Sequence, residues 1–148
     1  MARGALEPFE RGEGENPYTL QGDLQECMQN LVGIIRREDE LEKALDELEV
    51  LKERAGRTRV VGHRQYNPGW HLALDLWSLL TVSEATTLAA LERKESRGAQ
   101  TRDDYPNADP DLGKVNVVVR QKDGATAVTQ EPLPIMPDDL QKLFEETT

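Results

Sequence analysis

The stretch Arg93–Asp109, RKESRGAQTRDDYPNAD, follows the most apolar helix pattern in the chain and carries seven charged residues in its first twelve positions. Arg93, Arg97 and Arg102 alternate with Glu95, Asp103 and Asp104. A guanidinium fork recognises carboxylates and phosphates through paired hydrogen bonds. The spacing therefore suits anion recognition or a web of ion pairs. The residues alone leave two readings open. One is local pairing on a solvated loop, where an exposed pair contributes about 0–1 kcal/mol. The other is pairing with groups on a neighbouring domain.

The remaining chemical candidates are sparse. His63 and His71 are the only histidines, and a helix start falls between them; they read as surface or hydrogen-bonded side chains rather than a base or ligand pair. Cys27 is the only cysteine and sits among apolar helical positions, so an inert buried thiol is expected, with no disulfide and no metal-binding CxxC pair. Asn107, Asp109 and Asp111 offer oxygens at alternate positions like a calcium loop. Leu112 stands where such a loop needs Gly, and Val118 where it needs Glu. Gly12 and Gly14 begin a dinucleotide fingerprint that lacks its third glycine and has no strand before it. Nothing assembles a nucleophile, a base and a group to orient it.

The elements that must carry the charged stretch can be read from periodicity. Residues 1–17 contain Gly4, Pro8, Gly12, Gly14 and Pro17 and read as an irregular lead-in. Leu20, Leu24, Cys27, Met28, Leu31 and Ile35 recur at steps of three and four, which predicts an amphipathic helix. A second helix is expected over 39–55, with stripe Leu41, Ala44, Leu45, Leu48, Leu51 and with Asp39 as its N-cap. Asn67 and Pro68 suit the start of a third helix running to Arg97, with Gly98 ending it. Its apolar residues lie on two sides. Trp70, Ala73, Leu74, Trp77, Leu80, Leu88 and Leu91 share one side, and Leu72, Leu76, Leu79 and Val82 the other. A helix apolar on two sides is buried on two sides. After a polar loop, KVNVVVRQ, KDG and ATAVTQ read as strand, turn and strand. DDLQKLFEE suits a last short helix.

The expected fold is therefore mainly α: an up-down, spectrin-repeat-like three-helix bundle over 18–97, a charged loop over 98–113, a β-hairpin over 114–131 and a tail over 132–148 ending in a short helix. All of it forms one domain, 1–148. The net charge is -10, from 18 Lys and Arg against 28 Asp and Glu. That balance argues against nucleic-acid binding and against an anionic membrane surface. No apolar run approaches the length of a membrane span, and the first residues have no secretory apolar region. Only 37% of residues are apolar, which suits a small core or one completed against another body.

ALERKESRGAQTRDDYPNAD closely resembles the signature of the flavoprotein subunits of succinate dehydrogenase and fumarate reductase. Arg93, Glu95, Ser96, Arg97, Gly98, Ala99, Arg102, Asp104, Tyr105 and Pro106 match it, and Gln100 replaces the usual histidine. LQECMQNLVGIIRREDELEKALDELEVLKER and DLWSLLTVSEA are similar to upstream segments of the same family, in the family's order. L-aspartate oxidases share a looser version. The resemblance covers about Asn16–Ala108 well and the rest loosely. It implies the family's C-terminal helical domain, which packs on the FAD-binding domain of a subunit that passes electrons to an iron–sulfur subunit. The parent interconverts succinate and fumarate on the cytoplasmic side of the membrane. Its FAD-binding and capping domains hold the dicarboxylate-binding residues and the catalytic arginine, and none of these maps onto this chain. The resemblance thus implies no catalytic, cofactor-binding or metal residue here and no turnover by this chain alone. It implies a docking role for Arg93, Glu95, Arg97, Gln100, Arg102, Asp104 and Tyr105. The reading from another class is a stand-alone acidic helical module that binds proteins. Self-association through the long helix fits either.

Overall fold

A computed structural model describes residues 2–138 and 140. Four helices, α1 (Ala2–Glu10), α2 (Pro17–Leu31), α3 (Glu38–Ala55) and α4 (Pro68–Glu92), precede an antiparallel hairpin. The hairpin comprises β3 (Val115–Lys122) and β4 (Ala125–Pro132). Between them, β1 (Ile35–Arg36) and β2 (Thr101–Arg102) form a two-residue parallel pair. Helices α2, α3 and α4 make the expected bundle. The proposed last helix lies outside the described residues apart from Asp138 and Leu140.

Helix starts are chemically marked. Asn16 Oδ1 accepts the Tyr18 amide at 2.9 Å and Pro17 follows, while Asn67 Oδ1 accepts the Trp70 amide at 3.1 Å and Pro68 follows. The core is one cluster. Leu20, Leu24 and Cys27 of α2 meet Leu41, Ala44, Leu48 and Leu51 of α3 and Leu76, Leu80 and Ala90 of α4. Each such leucine contributes about 1.5–3 kcal/mol by leaving water. Beyond the core, Arg54 in the last turn of α3 reaches Glu15 Oε2 and Asp23 Oδ2, both at 2.7 Å, and so ties α3 to the start of α2.

Three expectations need correction. The first bundle helix ends at Leu31, so Ile35, expected in its apolar stripe, lies in β1 and is exposed. The first residues are not an irregular lead-in, because Ala2–Glu10 is helical. Pro8 sits near its end, so its missing N–H costs a single intrahelical bond. The helix is held from outside: Trp70 Nε1 donates to the Ala5 carbonyl at 2.7 Å, and the Phe9 ring lies 5.5 Å from that of Trp70. The long helix also ends at Glu92 rather than Arg97. Side chains from the following segment take its last carbonyls, so helical amides are not needed there.

The hairpin turn, Asp123 and Gly124, has φ of 52° and 84°, the left-handed pair a tight two-residue turn requires. Isolated hairpins are marginal in water, and this one lies along α4 from about Trp77 to its end. Gln130 Nε2 donates to Glu92 Oε1 at 2.7 Å. The apolar residues of α4 divide otherwise than the sequence reading expected. Ala73, Leu76 and Leu80, set on two sides there, are buried together, and Leu74 and Trp77 turn outward as Leu79 and Val82 do, where the hairpin covers only part of the helix. Leu74, Trp77, Leu79 and Val82 stay open.

Cys27 is buried, and burial beside Glu47 pushes its thiol up to about 11. A disulfide-exchange reagent at about pH 8, near the ordinary thiol value, should leave the native chain unlabelled and label it fully in denaturant. Rapid labelling of the folded chain would show that the α2–α3 seam opens readily.

Candidate functional site

An α-helix leaves its last carbonyls without intrahelical donors. At the end of α4 the Arg93 amide takes the Ala89 carbonyl at 3.2 Å. Arg102 Nη1 then donates to the carbonyls of Ala90 (2.9 Å) and Leu91 (3.3 Å), and Gln100 Nε2 to that of Ala90 (3.3 Å). The Arg102 side chain is fully buried there. A cation at this position is also favoured by the helix dipole. On its other edge, Arg102 Nε and Nη2 fork onto the two oxygens of Asp104 at 2.8 and 2.7 Å, and the guanidinium stands 5.0 Å from the Tyr105 ring centroid.

Asp104 has a second task. Its Oδ2 accepts the amide of Glu38, the first residue of α3, at 2.9 Å. Asp39, expected to be the cap, instead pairs with Arg37 at 3.2 Å. The cap of α3 thus comes from 66 residues away. The Arg102–Asp104 pair bridges the carbonyl end of one helix and the amide end of another, with each charge at the end its sign suits. Hydrogen bonds from Arg102 hold the Asp104 carboxyl down at about 2. Nearby, Lys94 Nζ reaches Glu38 Oε1 at 2.8 Å.

A second knot surrounds Glu95, whose side chain is also fully buried. Arg97 Nε lies 3.0 and 3.1 Å from its two oxygens, Arg93 Nη1 donates to Oε1, and the Asp109 amide donates to Oε2 at 2.8 Å. Arg93 continues to the carbonyls of Leu112 (3.1 Å) and Val115 (3.0 Å), which fixes the entry to β3. The Arg97 hydrogen bonds first, then those of Asp109 and Arg93, hold the Glu95 carboxyl at about 2 against the opposing effect of burial. Gly98, at φ 59°, makes the turn that lets Arg97 and Gln100 exchange backbone hydrogen bonds at 2.8 and 3.0 Å. Gly113 leaves room for Arg97: a Cβ there would lie 2.7 Å from Nη2. Between the knots, Ser96 Oγ accepts the Arg102 amide and donates to the Tyr105 carbonyl, both at 2.9 Å.

The structure therefore gathers all seven sequence-expected residues into one network, and their partners lie inside this chain. Arg97, half-exposed, and the exposed Gly98 and Ala99 form its outward rim. Arg36 and Glu38 also belong to it and were missed by the sequence reading. Arg36 Nε donates to the carbonyls of Val32 (2.9 Å) and Gly33 (2.8 Å), and its Nη1 to Gln100 Oε1. The doubled arginine before an acidic helix start, IIRREDE, was the only hint.

Other candidates resolve into structure. Gly14 passes so close to the Arg57 carbonyl that a Cβ would lie 2.3 Å from it, so this glycine serves a backbone crossing and not a pyrophosphate cradle. The residues here do not fit a dinucleotide. Asp109 Oδ1 accepts the amides of Asp111 (2.7 Å) and Leu112 (3.3 Å), and Lys114 takes Asp111. Among the described residues, no group of three or more His, Cys, Asp or Glu is placed to hold a metal, and no helix is long and apolar enough to cross a membrane. No buried side-chain nitrogen or oxygen there lacks a partner.

A family model described as "Fumarate reductase flavoprotein C-term" matches residues 21–142. The fumarate reductase flavoprotein subunit of Mycobacterium tuberculosis is 34% identical over 124 residues, covering 82% of this chain and 21% of that protein. The succinate dehydrogenase flavoprotein subunit of Coxiella burnetii is 35% identical over 114 residues, covering 76% of this chain and 19% of that protein. Among solved structures, a chain of the Mycobacterium smegmatis Sdh1 complex in the apo form superposes with a TM-score of 0.88 at 45% identity, covering 99% of this chain and 26% of that one. This chain thus spans about a fifth of the curated relatives it matches.

Both carboxylates with values near 2 bind protons more weakly when folded, their ordinary values being 4.5 for Glu95 and 3.8 for Asp104. Their stabilisation is complete above the ordinary values and fades as pH falls from there through about 2. Urea midpoints measured across this range should drop steeply for the native sequence. Glu95→Gln should flatten part of that slope and cost roughly 3–5 kcal/mol at neutral pH, as for a broken buried pair. Parallel pH profiles for the two proteins would refute the assignment.

Proposed function

Since the chain belongs to the fumarate reductase flavoprotein C-terminal family, we propose that it is the helical C-terminal domain of a succinate dehydrogenase or fumarate reductase flavoprotein subunit. In this reading it packs on the FAD-binding domain and turns over nothing by itself. The observation that carries this is the family match over residues 21–142. The geometry supports it, because the charge of the 93–109 segment is committed to holding a loop on two helix ends. FAD and the hydride exchange between succinate and fumarate belong to the other part of the subunit, where positioned cations stabilise developing charge. The iron–sulfur subunit and the cytoplasmic side of the membrane come with that parent complex.

The charged segment divides its work in this proposal. Arg102, Asp104, Glu95, Arg93, Gln100 and Tyr105 set the shape of the loop from within, and the rim at Arg97, Gly98 and Ala99 meets the FAD-binding domain. Gln100 suits the interior part. It offers an acceptor to Arg36 and a donor to α4 without adding a third positive charge beside Arg36 and Arg102.

The chain purified alone should be colourless. Grafted in place of the matching fifth of the M. tuberculosis flavoprotein subunit, it should yield a subunit that retains flavin and reduces fumarate. Ala99→Glu, on the exposed rim, should lower turnover of that graft several-fold while leaving the isolated chain folded by circular dichroism. A yellow isolated chain, or a graft that never holds flavin, would overturn the proposal.

A further inference from the structure

We propose that the outward edge of β3 is a strand-addition site, which takes an extended acidic segment of a partner polypeptide and seats one of its carboxylates on Arg36. The site does not depend on the domain reading above.

The register of the hairpin fixes which backbone groups face outward. The Leu133 amide donates to the Lys114 carbonyl at 2.9 Å, so position 114 turns toward β4. In an antiparallel pair the direction alternates. Asn116, Val118 and Arg120 therefore share the ladder with β4, and Val115, Val117 and Val119 point their amides and carbonyls to the other edge. Arg93 Nη2 takes the Val115 carbonyl there at 3.0 Å. Among the described residues the backbone groups of Val117 and Val119 find no partner.

Natural edge strands are usually blunted by shortness, charge or proline. β3 runs for eight residues, contains no proline, and has three consecutive valines at its middle. On the other edge of the hairpin, β4 ends in Pro132, which has no amide to offer. An open edge of this kind recognises an extended peptide through main-chain hydrogen bonds, with specificity supplied by pockets beside it.

Arg36 supplies that specificity and is an independent observation. Asn116 and Val117 line a groove together with Arg36, Arg93 and Gln100, floored by Ala89 of α4. Arg93 is matched within the chain by Glu95. Arg36 is not: its Nε and Nη1 are spent on the carbonyls of Val32 and Gly33 and on Gln100 Oε1. Those acceptors carry only partial charge, even with the dipole of α2 behind them. Its Nη2 has no partner among the described residues, and no buried side-chain nitrogen there lacks one, so Nη2 faces solvent. Burial, and then the like charge of Arg102, lower the pKa of Arg36, and no carboxylate acts against them. In a chain with 28 Asp and Glu, a half-buried guanidinium without a carboxylate has its free fork edge placed for one from outside. The groove and the open edge meet at Val117, so one extended segment reaches both.

The test uses the whole 148-residue chain and acetylated, amidated peptides of alternating threonine and valine with one central glutamate. Binding should slow hydrogen exchange at the Val117 and Val119 amides. By calorimetry at low salt the glutamate peptide should bind roughly tenfold more tightly than its glutamine counterpart, the margin of a charged over a neutral hydrogen bond. Methylating one alternate set of peptide nitrogens should abolish binding, and methylating the other set should spare it, because only one set faces β3. Val117→Pro removes an outward amide and no ladder bond. It should weaken binding about fivefold, the loss of one neutral hydrogen bond, and leave the amides of Asn116 and Val118 protected. Equal affinity of the glutamate and glutamine peptides would overturn the Arg36 assignment. Protection elsewhere, or none, would overturn the site. Protection of Val117 and Val119 that grows with protein concentration and needs no peptide would give the edge to a second copy and overturn the partner proposed.

Discussion

The ion pair between Arg102 and Asp104 is the constraint on which the upper end of the bundle depends. Taking the Arg102 charge out of water costs several kcal/mol, while Asp104 keeps 28% of its side chain exposed. An apolar pair of equal volume would often do as well energetically. It could not do this job, because the sites are occupied by polar backbone. The carbonyls of Ala90 and Leu91 need donors, and the amide of Glu38 needs an acceptor. Leaving the buried Ala90 carbonyl unpaired would cost about 1–3 kcal/mol. A guanidinium and a carboxylate satisfy these groups and each other at once. Their charges also match the two helix dipoles.

That geometry explains why α4 stops where it does. Continuing to Arg97 would give the last carbonyls ordinary helical partners but would strand Arg102, Asp104 and Glu95. Instead the chain turns at Gly98, pairs briefly with Ile35–Arg36, and returns to lay Arg102 under the helix end. Ser96 serves both arms of this return. The parallel pair of two residues is too short to matter by its hydrogen bonds alone; it fixes which carbonyl Arg102 meets.

The legible parts of this structure were those with a period or a local chemical mark. The three bundle helices, their Asn-Pro starts and the Asp-Gly hairpin all follow from residues within a few positions of one another. What could not be read depended on partners distant in sequence. Pro8 and the nearby glycines suggested an irregular start, yet Trp70, sixty-five positions beyond Ala5, holds that start helical. Asp39 had the right residue type and place for a cap, yet Asp104 took the role from across the fold. The charged stretch was recognisable as a network by its composition. Its direction, inward rather than outward, rested on which backbone groups would need it, and no sequence window contains that information.

The two ends of the domain therefore work in opposite senses. At the Arg102 end, charges are satisfied internally, and the loop keeps its shape whether or not another body is present. Along the first half of α4, apolar side chains stay in water and Tyr66 keeps a left-handed backbone that costs on the order of 1–3 kcal/mol. For a chain whose net stability is of order 10 kcal/mol, that is a substantial sum to leave uncompensated. It is offset from within the chain: the Asn67 side chain donates to the carbonyls of Val61 and His63 while its oxygen caps α4, so the strained turn is the start of a 25-residue helix. On the other side of the bundle α3 carries eight acidic residues against three basic ones, and that charge keeps its outer face solvated.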